Sequence, residues 1–208
     1  MGANISKHMS KGTLTVMEDF ERLQELLDQK PCTPASICAV VAGIFGVRAT
    51  DVGLLAVQDE FLTFLFPLEL QAAGLIPLTS SAVAARTASN RTPLLFNRFP
   101  MVPHHTVFER IKLQEAQPLA ELPDPIQKLM SAPIVDDEER VLGVIQICRK
   151  GMTPGIAGAD FTDENLCLLE QVARRIALIM TEMQVQPDSG RRDPLRFQND
   201  KPGKRASA

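Results

Sequence analysis

The sequence predicts an α+β domain in which helices pack on an antiparallel sheet. Segments with the apolar periodicity of amphipathic helices come before and after two pairs of short apolar runs, and each pair is typical of a β-hairpin. Predicted strands therefore do not alternate one by one with predicted helices. Helices and hairpins segregated in this way are typical of α+β architectures. The chain has 208 residues, of which 45% are hydrophobic, and this suffices for one domain with appendages and a sizeable core.

Composition excludes several classes of function. The net charge of -3 is too balanced to indicate nucleic-acid binding, and with ten Phe but no Trp or Tyr the chain has few rings on which bases could stack. The longest nearly apolar run, residues 37–47, is shorter than the roughly 20 residues that span a bilayer. We therefore expect neither a nucleic-acid nor a membrane partner.

Two helices are predicted in the first quarter of the chain. Over residues 14–29, apolar side chains recur every three or four positions and form one stripe, while charged residues fill the other face. Pro31 ends this helix. Residues 34–45 are largely apolar and are predicted to form a second, more buried helix, with a proline in the first turn and Gly46 as the stop.

The pattern then changes to strands. Residues 51–57 and 61–66 are short apolar runs on either side of a polar turn, which predicts a β-hairpin. The pair Ser80-Ser81 is placed to cap a short helix over residues 82–87. Residues 93–96 follow as a predicted strand.

A poorly periodic stretch covers residues 97–125 and contains five prolines and two adjacent histidines. Within it, residues 107–113 are predicted to form a helical turn. A stretch of this length inside a compact domain is more often a functional loop than a passive linker. We therefore expect a pocket built from residues 78–130 against the central strand.

The clearest strand signal lies in the second half. Residues 132–135 and 141–148 flank the five charged residues 136–140, which predicts a hairpin with an exposed turn. Residues 141–148 are nearly all apolar, as in a mid-sheet strand covered on both faces. Thr162 is predicted to cap a long closing helix with an apolar stripe formed by Leu166, Leu169, Val172, Ala173, Ile176, Met180 and Met183.

Two polar appendages are predicted around a domain at residues 13–186. Residues 1–12 have no apolar core, so they are interpreted as a flexible leader or a cloning scar and not as a secretory signal. Residues 187–208 carry six basic and three acidic side chains and almost no apolar ones, which predicts a disordered polar tail. The four cysteines (Cys32, Cys38, Cys148 and Cys167) form no CxxC pair, so we expect reduced thiols in a cytoplasmic protein and no zinc.

The order and spacing of these segments resemble the GAF domain family over about residues 13–183. Residues 131–135, 140–147 and 161–165 are similar to its last central strands and closing helix, and residues 79–91 to its short helix before the pocket strand. The resemblance implies about five or six antiparallel strands, with terminal helices on one face and pocket-forming loops and short helices on the other. It also implies a regulatory module that binds a small molecule or dimerises.

Three branches of the family fit the sequence poorly. Cyclic-nucleotide-binding members carry an Asn-Lys pair where this chain has Arg149-Lys150, and the spacing from Phe161 to Asp163-Glu164 is short. Bilin-binding relatives attach their chromophore to a cysteine in the pocket half, and the methionine sulfoxide reductases of this fold need clustered cysteines there. Because no cysteine lies between Cys38 and Cys148, we expect no covalent chromophore, no cofactor and no enzyme activity.

Six residues are predicted to bind a ligand: Phe96, His104, His105, Phe108, Arg110 and Gln146. An arginine can hold an anionic group by two parallel hydrogen bonds, although a solvated surface arginine is the commoner case. Adjacent histidines point in different directions, which favours pocket lining or an ordinary loop over a metal site. Gln146 is polar within an apolar strand, and a buried amide must be satisfied by a neighbour or by a ligand. No catalytic or metal-ligating residue is predicted.

Two functions remain open. The first is a regulatory module that senses a small molecule and signals through its terminal helices to a partner chain. The second is a non-catalytic dimerisation or docking scaffold with a vestigial pocket filled by side chains. In both cases the closing helix, widened by Leu168, Val172, Ile179 and Met180, predicts a homodimer through the terminal helices. Residues 34–45 of the same chain are the alternative cover for this surplus apolar surface.

Overall fold

The computed structural model describes residues 11–29, 31–101 and 124–184 and confirms the predicted α+β fold. Six strands form one antiparallel sheet in the order β3-β2-β1-β6-β5-β4. The strands are β1 (Val52–Gln58), β2 (Phe61–Phe66), β3 (Ile76–Pro77), β4 (Leu94–Phe96), β5 (Ile126–Val135) and β6 (Val141–Lys150). The helices are α1 (Lys11–Asp28), α2 (Pro34–Phe45), α3 (Val83–Asn90) and α4 (Asp163–Gln184).

Some predictions lie outside the described residues. These are the helical turn at 107–113, the tail at 187–208 and four of the six ligand-binding residues, namely His104, His105, Phe108 and Arg110. Helix α1 begins at Lys11, two residues inside the segment predicted as a leader. No helix in the described ranges is long and apolar enough to cross a membrane.

Local capping chemistry sets the ends of α2 and α4. Thr33 caps α2 with its hydroxyl, which accepts from the backbone N–H of Ser36, and Gly46 ends the helix in the left-handed conformation at φ 60°. The Thr162 hydroxyl accepts from the Asn165 backbone N–H at 3.2 Å, as predicted for α4. The Asn165 side chain accepts in return from the Thr162 N–H at 3.0 Å.

The serine cap predicted for α3 is wrong. The residue that precedes the helix is Ala82, and its side chain makes no capping hydrogen bond. Ser80 instead closes a backbone turn, in which its N–H donates to the Pro77 carbonyl at 3.0 Å. Because Ser80, which was predicted to cap the helix, is part of this turn, the helix starts at Val83 and not at residue 82 as predicted.

Strand β5 begins at Ile126, six residues earlier than the apolar run predicted. The segment that the prediction missed contains Gln127, Lys128 and Ser131, which are polar in sequence but at most 5% exposed in the fold. Each of these side chains has a hydrogen-bond partner. Burial of partnered polar groups is tolerated, and it hides the strand from a hydrophobic pattern.

One face of the sheet carries α1, α2 and α4, as the resemblance implied. Alternate strand residues such as Ile145 and Ile147 point into a core shared with these helices. Val172 and Met180 are fully buried in this core beside residues of α2. The same chain therefore covers these two residues, and only Leu168 and Ile179 of the widened stripe stay half-buried.

The opposite face, which we call the α3 face, carries α3 and two smaller apolar clusters. The first cluster contains Leu55, Phe64 and Val144 beneath the alanines of α3. The second contains Phe99, Leu129 and Cys148. Strand β6 contributes to both, through residues that alternate with those of the helix-side core, so the α3 face lies directly behind the core that anchors α4.

Candidate functional site

A buried polar trio lies between the two apolar clusters of the α3 face. It consists of Thr87 on α3, Ser131 on β5 and Gln146 on β6, with exposed fractions of 0%, 0% and 2%. Gln146 and Ser131 are direct partners across the β5–β6 ladder, which places their side chains on the same face. The Gln146 Nε2 donates to Ser131 Oγ at 3.1 Å, and Thr87 Oγ1 lies 2.8 Å from the same oxygen.

Within the described part of the chain, the trio leaves one strong acceptor without a partner. The Gln146 Oε1 atom is buried, and none of the described residues donates a hydrogen bond to it. A buried acceptor left unsatisfied costs about 1–3 kcal/mol. The sequence left open whether a neighbouring group or a ligand satisfies the Gln146 amide. In the structure, Ser131 accepts from its Nε2 atom, and its Oε1 atom stays available to a ligand.

Phe96 is half-buried on the same face. Its ring meets that of Phe99 edge to face, with centroids 6.3 Å apart, and it packs against the cluster that contains Cys148. The structure thus brings two predicted site residues, Phe96 and Gln146, to one face of the sheet. The predicted pocket over residues 78–130 stays a prediction, since much of that segment lies outside the described residues.

Sequence reasoning missed Thr87 and Ser131. The sequence places Thr87 in a short helix and shows no partner for it, whereas in the structure its hydroxyl also lies 2.9 Å from the Val83 carbonyl one turn earlier. Ser131 precedes the apolar run by which β5 was recognised. The signal that could have found them is the register: a serine directly opposite a buried glutamine in two paired strands.

The loop between β6 and α4 is held against the end of the sheet by a buried cation. The Lys128 side chain is 4% exposed, and its Nζ lies 2.6 Å from Asp160 Oδ1. It also donates to the Gly158 carbonyl at 2.5 Å. The neighbouring Gln127 donates to the Gly151 carbonyl at 2.8 Å. These contacts fix both ends of the loop to β5.

A second set of contacts connects β4 to the start of α4. The Asn97 side chain accepts from the Phe161 backbone N–H at 2.8 Å and donates to the Phe161 carbonyl at 2.9 Å. The Arg149 guanidinium stacks on the Phe161 ring at 4.5 Å from its centroid. Phe161 lies just before α4, so the residue after Phe96 directly positions the first turn of the closing helix.

The profile of the GAF domain matches residues 30–180. This chain belongs to the GAF domain family. No curated protein matches it.

Solved structures share the fold at low sequence identity. The GAF domain of a phosphoenolpyruvate-protein phosphotransferase from Coxiella burnetii has 11% identity and a TM-score of 0.60 over 84% of this chain and 97% of that one. The corresponding Acinetobacter domain has 9% identity and a TM-score of 0.59 over 85% and 97%. Free methionine-R-sulfoxide reductase from Neisseria meningitidis, solved with its substrate, has 17% identity and a TM-score of 0.55 over 89% and 100%.

The cysteines of this GAF domain are all free thiols. Cys148 lies on the α3 face, and burial raises its pKa to about 12. Burial likewise raises the pKa of Cys38, on the helix side, to about 12. A thiolate is the reactive form of cysteine, so both side chains are protonated, weak nucleophiles at neutral pH.

A groove of about 670 Å³ lies at the other end of this GAF domain's central strands. The β5–β6 turn forms one wall with four carboxylates and Arg140, and α4 forms the other with Arg174, Ala177 and Leu178. Leu178 is 65% exposed. In the described residues, no group of three or more His, Cys, Asp or Glu side chains could hold a metal ion.

Proposed function

We propose that this GAF domain is a regulatory module whose small-molecule ligand binds on the α3 face. One observation carries the proposal: the buried Oε1 of Gln146, which has no partner among the described residues, lies beside two satisfied hydroxyls. A leucine of similar size would fill the same space without leaving an acceptor unsatisfied. An unsatisfied acceptor lowers the stability of the free protein, so its presence is expected at a site where a bound ligand donates a hydrogen bond to it.

The ligand is expected to combine an apolar body with a hydrogen-bond donor. The walls around Gln146 are apolar on both sides, since Val144 and Cys148 flank it along β6. The lone acceptor at the centre selects an N–H or O–H group. A binding site with mostly apolar walls and few fixed polar groups is the usual form of small-molecule pockets.

Gln146→Leu tests the proposal. We expect the ligand-free variant to be as stable as the parent, or up to about 1 kcal/mol more stable, because the unsatisfied acceptor is removed. We also expect it to lose the rise in melting temperature that a bound compound gives to the parent. The measurement is a thermal-shift screen against nucleotides, amino-acid derivatives and aromatic acids.

Gln127→Leu is the matched control. This buried glutamine donates to the Gly151 carbonyl, so its loss should lower the free energy of unfolding by about 1 kcal/mol and leave ligand stabilisation intact. A compound that stabilises the Gln146→Leu variant as much as the parent would place the binding site elsewhere.

The proposed signal passes to α4 through Asn97 and Phe161. Phe96 lies on the ligand face, and Asn97 next to it holds the Phe161 backbone by two hydrogen bonds. A ligand that moves β4 therefore moves the start of α4. This route supports signalling through the terminal helices to a partner chain.

We further propose that two copies associate through α1 and α4. Leu168 and Ile179 stay half-buried in the single chain, and a second copy would complete their burial. Light scattering at micromolar concentration should give about twice 22.8 kDa, and Ile179→Glu should halve that mass. A parent mass of one chain, unchanged in the variant, contradicts the dimer.

The scaffold with a vestigial pocket is the second candidate. The buried residues of the two α3-face clusters favour it, because they already fill the space beneath α3. In that case no compound of the screen raises the melting temperature, while the dimer persists. In both cases we propose a non-catalytic, cytoplasmic protein, which the protonated Cys148 and the four free thiols support.

A further inference from the structure

The groove between the β5–β6 turn and α4 has a fixed acidic wall. Asp136 accepts from the backbone N–H groups of Glu138 and Arg140 at 3.0 and 2.8 Å and from Arg140 Nε at 2.8 Å. Although partial desolvation opposes its ionisation, these hydrogen bonds and the Arg140 charge hold the pKa of Asp136 below its ordinary value. These contacts thus hold the Asp136 carboxylate in place and connect it to the backbone of the turn.

The charges of the groove do not cancel. Arg140 is engaged by Asp136 at 2.7 Å and by Glu138 at 3.1 Å. Four carboxylates line the groove with two guanidiniums, those of Arg140 and Arg174. A third guanidinium, that of Arg91, lies 3.9 Å from Glu139, so four negative charges meet three positive ones and one negative charge remains. Its opposite wall exposes Leu178. A complementary occupant would therefore carry a net positive charge together with apolar side chains.

The chain itself continues with such a segment. Beyond Gln184, where the description ends, 24 residues follow, and residues 187–208 contain six basic and three acidic side chains. Its first cations are Arg191 and Arg192, followed closely by Leu195 and Phe197. The segment combines the two properties that the groove selects.

The segment is also long enough to reach the groove. Leu178 lies six residues before the end of α4, or about 9 Å back along the helix axis. The seven residues from Gln184 to Arg191 can span about 23 Å when extended. A turn after α4 therefore suffices to bring the arginine pair to the carboxylates.

We propose that residues 187–208 bind the acidic groove of the same chain. Arg191 and Arg192 face the carboxylates of the turn, and Leu195 and Phe197 cover Leu178. A segment whose sequence predicts disorder can bind in this way as an extended peptide. It would cover a surface of α4, so a partner that binds there must displace it. The inference is independent of a ligand on the α3 face.

A single tryptophan reports on this contact. The chain contains no Trp or Tyr, so Phe197→Trp in the full chain gives the only indole emission. We expect acrylamide to quench the indole emission of the full chain about twofold less than that of the free peptide 187–208 with the same substitution. The effect is modest because each surface ion pair is weak, although several act together. Raising the salt from about 0.05 M to about 0.5 M should remove the difference.

Charge reversal separates the groove from other surfaces. Asp137→Lys with Glu138→Lys should raise quenching to the level of the free peptide, and so should Arg191→Glu with Arg192→Glu. Combining the two pairs should restore protection. The control pair, Glu69→Lys with Asp124→Lys, makes the same charge change at exposed sites at the opposite end of the sheet and should leave protection unchanged.

Three results would overturn the proposal. The first is that acrylamide quenches the tryptophan of the full chain as strongly as that of the free peptide. The second is that the groove pair and the control pair change the quenching equally. The third is that the protection of the tryptophan from acrylamide disappears when the protein is diluted. The last result would assign the groove to the tail of a second copy. If the groove variant does not melt cooperatively, the tail variant decides, because it leaves every residue that lines the groove unchanged.

Discussion

Gly143→Ala is expected to lower the free energy of unfolding by about 3 kcal/mol, the upper end of the usual cost of overpacking. A Cβ atom added at Gly143 would lie 2.2 Å from the Leu55 carbonyl oxygen and 2.8 Å from Met180 Cε. The methionine can move, but the carbonyl belongs to β1, the strand paired with β6. Relief therefore requires the two central strands to separate locally.

The measurement is thermal or urea unfolding, and the melting temperature should fall by on the order of 10 °C for a domain of this size. Gly43→Ala is the matched control. Gly43 is exposed in α2 and nothing lies within 4 Å of an added Cβ, so the same methyl group should stabilise the helix by about 0.5 kcal/mol. The low end of the usual cost of overpacking is about 1 kcal/mol. If Gly143→Ala lowers the free energy of unfolding by less than this, the sheet adapts without separation of the two strands.

Asp160→Ala is expected to cost about 1–2 kcal/mol, because among the described residues it leaves the buried Lys128 ammonium with the Gly158 carbonyl as its single partner. Asp160 is 68% exposed, and solvent screening keeps the loss below that of a fully buried pair. Lys128→Met should cost less, under about 1 kcal/mol, because it removes the charge together with its need for a partner.

Urea unfolding of both single variants and the double variant checks this order. The double variant should be about as stable as Lys128→Met alone, since the described residues give the Asp160 carboxylate no ion-pair partner besides Lys128. Asp124→Ala, which removes an exposed carboxylate beside the start of β5, should change stability by less than about 0.5 kcal/mol. A larger loss in Lys128→Met than in Asp160→Ala would show that the lysine contributes mainly by packing and not through this ion pair.

Local chemistry explains why much of this fold could be predicted from the sequence. The stops and caps of α2 and α4 depend on residues within one turn, such as Gly46 and the pair Thr162 and Asn165. The two hairpins follow from apolar runs on either side of a short polar turn. Gln146 could be singled out because a polar residue in an apolar strand is visible without knowledge of its neighbours.

Sequence patterns predict the α+β class, the order of the four helices and of every strand except the two-residue β3, and one unusual glutamine. Three further features became visible in the folded chain alone: Ser131 lies opposite this glutamine, Lys128 is buried against Asp160, and the same chain covers Val172 and Met180. Periodicity and capping act over a few residues, whereas these contacts join residues far apart in the chain. Strand register and packing, which no local pattern encodes, choose which of them meet.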